Sequence, residues 1–176
     1  LCVVAISLSF TMYYYSSMQS GLESKAKTTT DFFSNYIGQS YSEYYQSCIV
    51  MAQTFEEKNT LELQFVSLSG KIVASSYGQW GGEGPETSDV ADAISTKRMA
   101  SFTGKNPQTG ERIMAVSSPM IYTNGEVIGV LRFVTSLKNV DKQIAMLTAL
   151  AVLVGVVFIA LVMFSSQFFI RSIVEP

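Results

Sequence analysis

Charged side chains are absent from both ends of the chain and ordinary in its middle. None occurs from Leu1 to Leu22, and none between Lys142 and Arg171. Ile144 to Ile170 is apolar apart from small polar residues such as Thr148, Ser165 and Gln167. A helix needs roughly 20 mostly apolar residues to cross a bilayer core of about 30 Å. The run 144–170 exceeds that length. Lipid offers no partner for free backbone N–H and C=O groups, so the pattern predicts a transmembrane helix there. Residues 1–18 predict a shorter, truncated first span. It ends near Tyr13, Tyr14 and Tyr15, whose rings with polar tips suit the membrane boundary. A cleaved signal peptide is the rival, but the basic start is missing and Ser17-Met18-Gln19 is a poor cleavage site.

Between the spans, residues 19–143 change period once. Leu22, Ala26, Thr29, Phe33, Ile37, Tyr41, Tyr44, Cys48, Met51 and Phe55 follow at steps of three and four, one stripe of a helix. The stripe predicts one long helix running out of the first span to Lys58, with Gly21 and Gly38 tolerated and Asn59 as its stop. It is close to a heptad seam, so it leaves apolar surface for a homodimer. After Asn59 the period becomes two. Leu61 to Leu68 alternates as a strand, Ser69-Gly70-Lys71 turns, and Ile72 to Ser76 returns. A glycine-rich loop follows, and then Ser88 is placed to cap a short helix. Asp89 and Asp92 lie near that helix's positive end, Lys97 and Arg98 near its negative end. Three further strands are expected at 100–103, 111–118 and 127–135. The last two are joined by the Asn-Gly turn at 123–126, and Ser136 caps the helix entering the second span. The fold class is therefore α+β, a long N-terminal helix on a five-stranded antiparallel sheet, flanked by two transmembrane helices.

Composition removes several kinds of chemistry. The chain has no histidine, which excludes histidine catalysis and most zinc or iron sites from these 176 residues. Cys2 and Cys48 cannot form a disulfide within the middle domain, and Cys48 reads as a small packed hydrophobe. Twelve basic against 14 acidic residues give no nucleic-acid footprint. The carboxylate pairs Glu56-Glu57 and Asp89/Asp92 lie at helix ends, and no nucleophile stands with a base. No catalytic residue, metal site or cofactor is expected. The loop glycines lack the Gly-Lys-Ser/Thr ending that would place a lysine on phosphates.

The phrases Phe65 to Ser76, Gly110 to Met120 and Asn124 to Phe133 resemble the single Cache domains, PAS-like extracytoplasmic sensors of bacterial receptors. The resemblance covers about Gln19 to Val140. Arg171 to Pro176 looks like the opening of a HAMP linker. Arg171 after the second span fits the positive-inside rule, although Lys138 and Lys142 before it blur the bias. The resemblance implies a multi-pass protein of the cell membrane with residues 19–143 outside the cytoplasm. It implies a sensor histidine kinase that passes its signal through the second span to HAMP and on to kinase modules and a response regulator. A chemoreceptor or cyclase uses the same front end. A membrane-tethered structural or protein-interaction module without a small ligand is the alternative from another class.

In such sensors the pocket lies on the sheet beneath the loop and short helix. Tyr77 and Trp80 stand in that loop, where Trp80 is either an aromatic lid or a surface residue that packs down. Arg112, Met114 and Arg132 lie in the strands, and Tyr122 just before the last turn. An arginine among apolar neighbours needs a partner. That partner is either a ligand carboxylate or one of Glu62, Glu111 and Glu126, unless the sheet face is open. Tyr77, Trp80, Arg112, Met114, Tyr122 and Arg132 are the candidate ligand residues.

Overall fold

The structure, a computed structural model, describes residues 2–34, 41–78 and 81–174, with side chains in 5–34, 42–78 and 81–165. The chain forms two compact units, Leu1–Tyr15 with Asn139–Pro176, and Ser16–Lys138.

The larger unit is built on a five-stranded antiparallel sheet of order β2-β1-β5-β4-β3. The strands are β1 (Glu62–Val66), β2 (Ile72–Ser75), β3 (Ala100–Lys105), β4 (Arg112–Ile121) and β5 (Val127–Ser136). The β1–β2 and β4–β5 hairpins close in the same way. Gly70 N–H donates to Ser67 O and Gly125 N–H to Tyr122 O, while Ser67 and Tyr122 donate to Lys71 O and Glu126 O, all within 2.8–2.9 Å. Each loop therefore has three residues. The last, Gly70 or Gly125, sits at φ +78° or +82°, a conformation that a Cβ would oppose.

The alternation in β1 predicts a half-buried strand, yet four of its five residues are buried. The reason is that both faces of the sheet centre are covered. On one face lie α1 (Cys2–Ser34) and α2 (Tyr41–Thr54), with Phe33 against Phe65 at 5.2 Å between ring centroids and Phe55 against Phe133 at 5.8 Å. Leu22, Ala26, Phe33 and Cys48 of the expected stripe are buried there, and so is Ala52, which lies outside the stripe. On the other face lies α3 (Ser88–Thr96), whose Val90 and Ala93 pack on Val66 and Val130.

The expectation of one unbroken helix to Lys58 is corrected. In a straight helix Phe33 and Thr54 would stand about 31 Å apart at 1.5 Å per residue. They instead line one cavity, and Lys25 pairs with Glu57. α1 and α2 are two helices lying antiparallel, and α2 ends at Thr54, before Asn59. Gly38, expected to be tolerated inside that helix, lies outside the described residues. The step-of-three-and-four stripe continues across a helical hairpin as easily as along a rod, because both helices bury one face on the same sheet.

The smaller unit pairs the start of α1 with α4 (Lys138–Val174). Ser7 and Thr148 share a hydrogen bond of 2.9 Å, and Tyr15 donates to Asp141. Within α4 the 28-residue stretch Lys138–Ser165 is long and apolar enough to cross a membrane. Among the described residues it is the one helix that is, so the first span expected at 1–18 rests on the sequence. Ser136 Oγ accepts from Lys138 N–H at 3.3 Å, as its expected capping role requires.

Candidate functional site

The sheet centre presents a row of polar residues to α3. Gln64 of β1 and Ser117 of β4 both stand opposite Arg132 of β5. All three are buried, Arg132 to 3 % exposure. The period of two places them on the face away from α1 and α2. An unpaired guanidinium there would be very costly. Its partner is Asp89, in the first turn of α3 and 0 % exposed. Arg132 Nε donates to Asp89 Oδ2 at 2.7 Å, Nη2 to Thr87 Oγ1 at 2.8 Å and Nη1 to Gln64 Oε1 at 2.9 Å. Ser117 Oγ donates to Asp89 Oδ2 at 2.7 Å and Thr87 Oγ1 to Asp89 Oδ1 at 2.5 Å. Burial alone would push the Asp89 carboxyl up. The Arg132 guanidinium, with the Thr87 and Ser117 hydroxyls, outweighs it and holds the carboxyl below its ordinary range.

The network explains a departure at the start of α3. Thr87, and not Ser88, is the N-cap residue, yet its side chain makes no capping bond. Its hydroxyl is committed to Arg132 and Asp89 instead. The helix thus forgoes a cap of the kind that contributes about 1 kcal/mol. The sequence places Asp89 with Asp92 near the positive end of the helix. Asp92 is exposed, whereas Asp89 is the buried counter-ion of Arg132. Glu62, Glu111 and Glu126, the carboxylates weighed for that role, are not its salt-bridge partner.

The network continues outward through Gln64. Gln64 Nε2 donates to Glu62 Oε1 at 2.8 Å, Ser75 Oγ donates to the same oxygen at 2.7 Å, and Tyr77 N–H donates to Ser75 Oγ at 3.0 Å. A cavity of about 260 Å³ opens here. Gln64, Thr87 and Arg132 form its buried polar wall, Glu62 and Tyr77 flank it, and Glu111 with the β3–β4 hairpin closes the far side. Burial, then the Glu62 and Glu111 carboxylates, raise the Tyr77 phenol above its ordinary value.

Of the candidate ligand residues, the structure brings Tyr77 and Arg132 to this cavity. Trp80 lies outside the described residues. Met114 is 1 % exposed and lies on the opposite face of β4, toward α1 and α2. Arg112 shares that face but is exposed at the start of the strand, where its carbonyl accepts from Leu137 N–H at 2.9 Å. Tyr122 sits in the β4–β5 hairpin, at the other end of β4. Gln64, Thr87, Asp89 and Ser117 were not singled out as site residues. The signal for them is the arginine itself: one buried charge demands a polar shell, but sequence does not say from where.

Cys48 is fully buried in α2, and burial, partly opposed by a Tyr44 hydrogen bond, pushes its thiol up to about 12. It behaves as a packed hydrophobe. Among the described residues no three His, Cys, Asp or Glu side chains converge to hold a metal.

No protein-family model matches the chain, and no curated protein matches it by sequence. Solved structures do match by fold. The ligand-binding domain of the Campylobacter jejuni chemoreceptor Tlp3 in complex with L-valine is 14% identical, over 81% of this chain and 60% of that one, with a TM-score of 0.54. An extracellular ligand-binding receptor from Desulfohalobium retbaense is 14% identical over 74% of this chain and 24% of that one, with a TM-score of 0.56. The sensor domain of the Vibrio cholerae histidine kinase DctB is 13% identical over 77% of this chain and 54% of that one, with a TM-score of 0.52. The chain spans less than two thirds of each. At these identities the likeness is one of fold alone: helices packed on a five-stranded antiparallel sheet, an α+β arrangement.

Proposed function

We propose that this chain is the extracytoplasmic sensor and membrane region of a bacterial transmembrane sensor histidine kinase. In this reading a small molecule enters the cavity beside Arg132 and Tyr77. The observation that carries the reading is the buried network of Arg132, Asp89, Thr87 and Gln64. It holds a polar cavity wall in place on the sheet face of a fold shared with ligand-binding receptor domains. α4 then carries the signal, as a dimer, to a HAMP linker, the kinase modules and a response regulator. Ligand moves that equilibrium only by binding one receptor state more tightly than the other. A chemoreceptor is the second reading, since both kinds of receptor occur among the fold neighbours.

Two measurements test this. Melting of the 176-residue chain in lipid nanodiscs against a metabolite library should show stabilising compounds. Tyr77→Ala should remove their effect; a library without any stabiliser, or stabilisation indifferent to Tyr77, would sink the pocket. In the full-length protein, HAMP followed by a phospho-accepting histidine and an ATP-binding domain after Pro176 would establish the kinase.

A further inference from the structure

We propose that the cavity takes a small organic cation, with its protonated amine between the carboxylates of Glu62 and Glu111 and beside the Tyr77 ring. The proposal rests on reading this cavity as the sensory site, and it names the class of ligand.

The argument is a count of charges and donors. Three charged side chains line the cavity: Glu62, Glu111 and Arg132. Arg132 is not available as a cation. Its charge is balanced by Asp89 at 2.7 Å, and Asp89, Thr87 and Gln64 occupy the guanidinium donors. Of the five N–H groups an arginine carries, one on Nη1 is left. Glu62 and Glu111 are in the reverse position. Glu62 Oε1 accepts from Gln64 and Ser75, and Glu111 Oε1 accepts from Ser136, so the hydrogen bonds to each carboxylate fall on one oxygen. Among the described residues no lysine and no other arginine lines the cavity. Its field is therefore negative, set by two carboxylates without a cation.

The floor makes this a built site. Gln64, Thr87 and Arg132 are 6%, 7% and 3% exposed, and all three line the cavity. They are fixed to one another, so the cavity wall is set before a ligand arrives, which lowers the cost of binding. Tyr77 lies within electrostatic reach of both carboxylates. An aromatic ring beside two carboxylates suits an ammonium group, which is attracted to the ring face as well as to the charges. The volume of about 260 Å³ lies just under the range of drug-sized sites, so the ligand is small. A hard divalent ion such as Ca²⁺ takes six to eight oxygens, and two carboxylates are a poor start toward that number. A free amino acid would bring its own carboxylate into the negative field, where the one arginine is already balanced by Asp89.

Isobutylamine and L-valine differ by that one carboxylate, so they separate the cases. Both are titrated by calorimetry, with Ca²⁺ as a third probe, into the 176-residue chain in neutral-lipid nanodiscs. Isobutylamine should bind at least tenfold more tightly than L-valine. Glu111→Gln should weaken it at least tenfold, and Glu62→Gln likewise; Glu111 is exposed, so its variant keeps the test valid if Glu62→Gln does not fold. Tighter binding of L-valine, lost in Tyr77→Ala, overturns the cation and keeps the sensory cavity. Binding of Ca²⁺ without isobutylamine also overturns the proposal. If none of the three binds and the metabolite library is blank, the proposal and the sensory reading fall together.

Discussion

The two faces of the sheet use the same strands for opposite purposes. Toward α1 and α2, Leu63, Phe65, Met114, Val116, Leu131 and Phe133 are buried and apolar. One residue along, toward α3, stand Gln64, Ser117 and Arg132, buried almost as fully. The first face gains from removing apolar area from water, about 25 cal/mol per Å². The second face holds an ion pair whose desolvation can equal its attraction. So the α1–α2 face supplies stability, while the polar row of the α3 face, beside the apolar cluster of Val66, Val90, Ala93 and Val130, fixes positions: it ties β1, β4 and β5 to the start of α3 and shapes the cavity.

The largest expected effect separates these two kinds of burial. Arg132→Ala leaves Asp89 charged and buried, and should cost about 3–5 kcal/mol. Phe133→Ala on the other face should cost a similar 3–5 kcal/mol through lost contact and a cavity. The faces then part company. Asp89→Leu combined with Arg132→Met removes both charges, and should regain most of the loss in chemical denaturation. A double variant as unstable as the single one would mean that the pair itself contributes net stability.

Next in size is a steric test on the helical face. A Cβ on Gly129 would lie 2.7 Å from the Tyr44 hydroxyl, 3.1 Å from Met120 Cε and 3.1 Å from the Val66 carbonyl oxygen. Gly129→Ala should cost about 1–3 kcal/mol, as overpacking does. Adding Tyr44→Phe should recover part of it, and no recovery would put the strain on the β1 backbone.

The Asp89 carboxyl makes the polar face sensitive to acid. Its folded pKa lies below its ordinary 3.8, so the pair's contribution is complete above that value and is lost as pH falls through the folded pKa. Urea midpoints measured downward from pH 5 should drop less steeply in Asp89→Asn than in the parent. Equal slopes would mean that the acid limb belongs to other carboxylates.

The helical face was legible in the sequence and the polar one only in part. Strand periodicity, glycine turns and the apolar stripe are local signals, and they place Phe65, Phe133 and Cys48 correctly. Arg132 is also legible as a buried charge in need of a partner. Asp89 is not, because an aspartate in a first turn looks the same whether it serves a helix dipole or a guanidinium 43 residues away. The break between α1 and α2 was missed for a related reason. Helical periodicity reports which residues face a sheet, and two antiparallel helices on one sheet satisfy it as well as one.

The smallest expected effect places the same chemistry in water. Lys25 pairs with Glu57 across the α1–α2 layer, with side chains 33% and 55% exposed, where the Arg132–Asp89 pair is 3% and 0% exposed. Exposed pairs are screened and lose side-chain entropy, so Lys25→Met should cost at most about 1 kcal/mol, and 0.5 M salt should erase most of it. The antiparallel helices are then held by the burial of Leu22, Ala26, Phe33, Cys48 and Ala52. A loss that is larger, and that persists in salt, would show the opposite: a hairpin pinned by one ion pair, with its apolar stripe free to serve another surface.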